Sequence, residues 1–200
     1  MAFEFLNYTK GGLNFGSSII RFHPKLEKVQ KLKSLNRKRR LLNQYIDQFY
    51  SKNRKELLLA KRNLQELWLR NDNDFFKIVD KIFSKAGWPK GKYICYISIF
   101  PSGPRFLESK TFQSFYKIGD QNLKQMQHEM LHFIFYDYLE KKLTKEFIKN
   151  NQEKVWILSE VFNIIVLKQK PYPAHEKLIP FYQTLWNSSK NIDEFLKKSL

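Results

Sequence analysis

The residues of this chain that could do chemistry stand together in Gln127-His128-Glu129-Met130-Leu131-His132-Phe133. Two histidines four residues apart lie one turn apart on the same face of a helix, so both imidazoles can bind one zinc ion. Glu129, rotated round the helix from His128, is poorly placed as a further ligand but can reach a zinc-bound water. Zinc lowers the pKa of such a water to about 7, and a carboxylate can take its proton and later deliver it to a leaving amine. Chance would produce His-Glu-x-x-His in about one chain in 200 of this length. The flanking residues sharpen the signal. Met126, Met130, Leu131, Phe133, Ile134, Phe135 and Leu139 make the helix apolar nearly all round, which predicts burial. Two histidines and a carboxylate are costly to bury unless something pairs with them, and a metal ion does so.

Zinc takes a third protein ligand and leaves a fourth position open. No histidine closely follows the motif: His175 lies 43 residues beyond His132, and His23 precedes a proline in a basic region. Between the motif and His175 runs Val155–Leu167, where Ser159, Glu160 and Asn163 are the only polar residues among thirteen. A glutamate at the centre of so apolar a helix needs a buried cation, so Glu160 is the expected third ligand; the alternative is an ordinary buried pair with a lysine or arginine. Asn163 and Asp137 could each orient a ligand, or serve only as capping or solvated polar groups.

The remaining pattern supplies the elements that must hold these residues. Residues 1–20, with Gly11-Gly12 and Gly16-Ser17-Ser18 among aromatics, suggest an irregular or hairpin-like opening. From Pro24 the pattern turns helical. Leu42, Ile46, Phe49, Leu57, Ala60, Leu64 and Trp68 form one apolar stripe with a single long gap, predicting a long amphipathic helix that ends near Asn71. A short helix is expected over 74–85. The β-branched and aromatic run 93–100, stopped by Pro101-Ser-Gly-Pro104, reads as a strand, with 111–118 as its partner. Helices are expected over 121–143, 153–168, 175–187 and 191–199. The fold class is α+β, mainly α, with a small antiparallel or mixed sheet.

A strand, a helix bearing His128-Glu129-x-x-His132 and a second buried helix bearing Glu160 together resemble the gluzincin zinc metallopeptidases, and the size resembles the single-domain minigluzincins. The resemblance covers roughly residues 74–185. It implies a zinc-dependent peptidase acting on a peptide or protein, with His128, His132 and Glu160 as ligands and Glu129 activating the zinc-bound water. It also implies that 93–100 is a sheet edge along which a substrate peptide extends. A downstream tyrosine or histidine would stabilise the oxyanion; Tyr172 and His175 both fall in the right place. The chain departs from the family in placing Ser159 before Glu160 and Ile164 four residues after it.

Composition bounds the alternatives. In 200 residues, 42% are hydrophobic, including 18 Phe, 10 Tyr and 4 Trp, which excludes a disordered chain. Cys95 is the one cysteine, so a disulfide framework or multi-cysteine metal site is excluded. A buried structural thiol is the expected state of Cys95, and Tyr136 and Tyr138 are expected core aromatics. Arg105 reads as a surface arginine or, less simply, a group for a substrate carboxylate. The start of the chain has no apolar signal region and no run is long enough for a membrane span, so the expected location is cytoplasmic. The net charge is +17, and residues 21–70 hold 15 basic and 4 acidic residues, a net of +11. That basic helical part, carrying Arg37-Lys38-Arg39-Arg40, precedes the zincin-like core in what reads as one domain of 1–200. The charge leaves open nucleic acid as a partner, and with it a SprT-like DNA-associated protease or a non-catalytic basic interaction domain. The SprT-like pattern calls for a histidine shortly after the motif, and none stands there.

Overall fold

The computed structural model describes residues 6–7, 9–10, 13–84, 86–117, 119–171, 173 and 175–200. Strands β1 (Thr9–Lys10) and β2 (Leu13–Asn14) pair antiparallel, in keeping with the expected hairpin. Helix α1 (Phe15–Phe22) follows at once, because the Asn14 side chain accepts from the Ser17 amide at 2.9 Å and caps it.

The expected single long helix is instead divided. After α2 (Leu26–Gln30), the apolar stripe is carried by α3 (Leu35–Lys52) and α4 (Arg54–Leu69). The break at Asn53, with φ −105° and ψ 20°, falls inside the long gap between Phe49 and Leu57, where Ser51-Lys52-Asn53-Arg54-Lys55 offers no apolar side chain to bury. The Phe49 carbonyl accepts from both the Asn53 backbone amide at 3.0 Å and Asn53 Nδ2 at 2.8 Å, which closes the end of α3. Helix α5 (Asp72–Ile82) carries Asp72 and Asp74 in its first turn, where the helix dipole favours acids.

The sheet contains β3 (Ile94–Ser98), β4 (Arg105–Phe106) and β5 (Thr111–Phe115) in the order β3-β5-β4. It is mixed: β5 runs parallel to β3 and antiparallel to β4. The register aligns Cys95, Phe112 and Arg105 in one row, so their side chains share a face. Phe112 on that row packs against Phe133, which turns the face toward α6 (Asp120–Lys142). Asn122 fastens the start of α6 to β5. Its Nδ2 donates to the Ser114 hydroxyl at 3.0 Å and the Phe115 carbonyl at 2.9 Å, while its Oδ1 accepts from the Gly119 amide at 2.8 Å.

Helices α7 (Lys145–Asn150), α8 (Gln152–Val166), α9 (Ile179–Asn187) and α10 (Ile192–Ser199) complete the chain. The short α7 was not expected from the sequence, and residues 175–178 are turns ahead of α9. The main core lies between α6 and α8, which are buried on nearly every side. Phe162 is its hub, with ring centroids 5.0 Å from Phe135, 5.4 Å from Trp186, 5.8 Å from Phe195 and 6.0 Å from Phe83.

A second cluster, with Leu42, Leu57 and Ile99 in it, surrounds His23. His23 Nε2–H donates to the Ile99 carbonyl and its Nδ1 accepts from the Tyr45 hydroxyl, both at 2.7 Å. Both ring nitrogens are therefore committed to the fold, and burial lowers the His23 pKa. Among the described residues, no helix is long and apolar enough to cross a membrane.

Removing the hub of the main core should be expensive. Phe162→Ala is expected to lower unfolding stability by about 3–5 kcal/mol, read as a fall in the urea midpoint at unchanged m-value.

Candidate metal centre

Helices α6 and α8 meet where their polar residues face one another. The Asn163 side chain donates to the His128 carbonyl at 2.9 Å, and the Tyr136 and Ser159 hydroxyls are 3.2 Å apart. These cross-links set the helices so that His128, His132 and Glu160, all buried, bring one ligand atom each to within 4.8 Å of the others. His128 Nε2 lies 3.0 Å from Glu160 Oε2, His132 Nε2 lies 3.1 Å from His128 Nε2, and Glu160 Oε1 is 3.5 Å from His132 Nε2. This group could hold a metal ion.

The tautomers follow from the outer partners. Gln169 Nε2 donates to the Lys124 carbonyl at 2.8 Å, which turns its Oε1 toward His128 Nδ1 at 3.0 Å. A proton on Nδ1 leaves the Nε2 lone pair facing Glu160. Lone pairs and a carboxylate at such distances repel unless a cation, whether a proton or a metal ion, sits among them. His132 Nδ1 and Asn163 Oδ1 are buried without a hydrogen-bond partner, so His132 depends on Nε2 for its polar contacts.

The electrostatics express the same tension. Burial, reinforced by Arg105, pushes the His132 pKa well below its ordinary value. Burial opposes the charge on Glu160, but His132, His128 and Arg105 outweigh it and hold the carboxyl far below the usual range. Burial raises Glu129 above the ordinary glutamate value, against the pull of Arg105 and His128. For His128 burial is outweighed by Glu160 and Glu129, and its pKa rises.

Arg105 is the residue sequence reasoning undervalued. It is not a surface arginine: its side chain is 16% exposed, Nη1 donates to Glu129 Oε2 at 3.2 Å and Nη2 donates to Glu160 Oε1 at 3.1 Å. The guanidinium carbon lies 6.0 Å from the Tyr136 ring centroid. Strand β3, within the expected 93–100, does lie at a sheet edge, but β4 at the opposite edge sends a side chain into the carboxylates. The Pro101–Pro104 turn sets that strand. A Cβ on Gly103 would come within 2.1 Å of Gln125 Nε2 and 3.1 Å of the Gln113 carbonyl, so a side chain there would have to push the Gln125 amide aside.

The other expected residues divide. His175 is 4% exposed, with its ring 5.3 Å from that of Trp156; burial lowers its pKa, while the charge of Glu160 raises it. Tyr172 lies outside the described residues. Asp137 pairs with Lys141 at 2.6 Å, making it a surface ion-pair partner and leaving His132 without the expected orienting group. Asn163 donates to the His128 carbonyl and so holds that residue's backbone. Gln169 was not anticipated, because a glutamine just past a helix end carries no distinguishing signal. Cys95 is a half-buried strand thiol whose pKa burial pushes up to about 12, with the Glu129 charge adding to it.

No family model, no curated protein and no solved structure matches this chain.

Two outcomes follow from the geometry. Gln169→Ala is expected to weaken divalent-metal binding about 10–100-fold, measured by titration against a chromogenic chelator, with the far-UV spectrum unchanged. Cys95, protonated at pH 7.5, should resist iodoacetamide in the folded chain and react on denaturation, as followed by intact mass.

Proposed function

We propose that the chain is a zinc-dependent peptidase. One observation carries the reading: two imidazole nitrogens and one carboxylate, 3.0–3.5 Å apart, stand beside a fourth group, Glu129, that is not one of the three. Zinc–ligand bonds of about 2.0–2.1 Å place tetrahedral neighbours about 3.3 Å apart, so the spacing fits. The donor set of two nitrogens and one carboxylate oxygen also suits zinc in a catalytic site.

Bound zinc would supply a water acidic enough to lose a proton near neutral pH and a Lewis acid for the substrate carbonyl. The chain's own residues would do the rest. Glu129, whose pKa burial raises, is suited to take a proton from water at its carboxylate and return it to the departing amine. Gln169 would keep His128 in the tautomer that presents Nε2, and Asn163 would keep the two helices in register. His175, acted on by the Glu160 charge, is the described candidate for steadying the oxyanion. An extended peptide would lie along the outer edge of β3, whose inner edge is taken by β5.

The test pairs metal content with activity. Elemental mass spectrometry is expected to find about one zinc per chain, and hydrolysis of a peptide library should disappear on treatment with a chelator and return with zinc. His132→Ala should lose the metal. Glu129→Gln should retain it and lose hydrolysis by at least about 10²-fold, the scale of general acid–base catalysis. A folded chain that takes up no zinc, or Glu129→Gln with full activity, would overturn the proposal.

A further inference from the structure

Arg105 bridges two carboxylates that have different tasks in the proposed reaction. Its Nη2 is on Glu160, the metal-ligand candidate, and its Nη1 is on Glu129, the proton-transfer candidate. Both carboxylates are buried and come from different helices, so without a cation their charges would drive the site apart. The planar guanidinium is suited to this task, since it spreads one positive charge over a fork of donors. Yet the same contacts conflict with a working site. Glu129 Oε2 already accepts from Arg105, and a dication held by Glu160 would stand close to a fixed unit of like charge.

Resting on the reading of His128, His132 and Glu160 as a zinc site, we infer that Arg105 is a resident counter-cation, which holds the site assembled before metal arrives and which zinc must displace from Glu160. The fold permits the exchange. Arg105 sits on a two-residue strand whose backbone is tied to β5, with the Gln113 amide donating to the Pro104 carbonyl at 3.1 Å. The long side chain can therefore swing while the strand stays in place. The Tyr136 ring lies 6.0 Å from the guanidinium carbon where it bridges the carboxylates, so one face of the charge is already against an aromatic ring. Two effects oppose each other as the metal arrives. The hydrogen bond from Arg105 holds Glu160 oriented for the metal, which favours binding, but it must be broken, and the guanidinium charge repels the dication. In a buried site screening is weak, so the charge repulsion is the larger effect.

The sign of one measurement separates this role from a merely structural one. Zinc affinity would be measured by competition with a chromogenic chelator for the parent, Arg105→Gln and Arg105→Lys, with His132→Ala as the site control. Arg105→Gln is expected to bind zinc at least tenfold more tightly than the parent. Its metal-free melting temperature should fall and should recover on adding zinc. Arg105→Lys, which keeps a charge but cannot fork between two carboxylates, should lie between the two in affinity. Equal or weaker zinc binding by Arg105→Gln, with zinc still lost in His132→Ala, would overturn the inference and leave the metal reading intact. Absence of zinc binding from parent and Arg105→Gln alike, both folded, would overturn both.

Discussion

A carboxylate buried between apolar helices stays ionised only if positive charge lies within hydrogen-bond reach, and that constraint governs the centre of this molecule. Glu160 is surrounded by the apolar residues of α8 and faces the histidines of α6. Glu129 is equally buried one residue after the first of those histidines. Two such groups in one pocket demand a strand that brings Arg105, a turn short enough to seat that strand, and cross-links that keep α6 and α8 in register. The small sheet serves mainly this end. Its row of Cys95, Phe112 and Arg105 turns one residue into the core, one toward a silent thiol position and one into the charge cluster.

The site is also a study in satisfied and unsatisfied polar atoms. Glu160, His128, His132 and Arg105 form a connected set of contacts, whereas His132 Nδ1 and Asn163 Oδ1 are buried without hydrogen-bond partners. Gln169 fixes the outer side of His128, but His132 has no corresponding group, since Asp137 is committed to Lys141. The two histidines of one motif are therefore not equivalent. One is held at both ring nitrogens, and the other at Nε2 alone.

How much of this could be read from the sequence depended on whether the evidence was local. His128, His132 and Glu160 were legible because polar residues within all-apolar helices conflict with their surroundings, and the conflict is visible without coordinates. The gap between Phe49 and Leu57 was visible too, but reading it as an interruption of the stripe and not of the helix missed the break at Asn53. The parallel sense of β3 and β5 was not legible, because strand pairing is a long-range outcome that composition does not encode. Arg105 and Gln169 were hidden for the same reason. Each reaches the site from an unrelated element, through pairing or helix-end geometry that no spacing rule describes.

Helix α4 ties the basic N-terminal part to the candidate metal site. Its Leu57 and Ala60 belong to the cluster around His23, while Leu64, one turn further along the same stripe, belongs to the core beneath the site. Ile97 of β3 likewise packs against both clusters. The rod is common to two walls, so loosening either one strips part of the helix that supports the other. The charge of residues 21–70 is thus carried on helices packed into the same body as the candidate metal site, with α4 common to both.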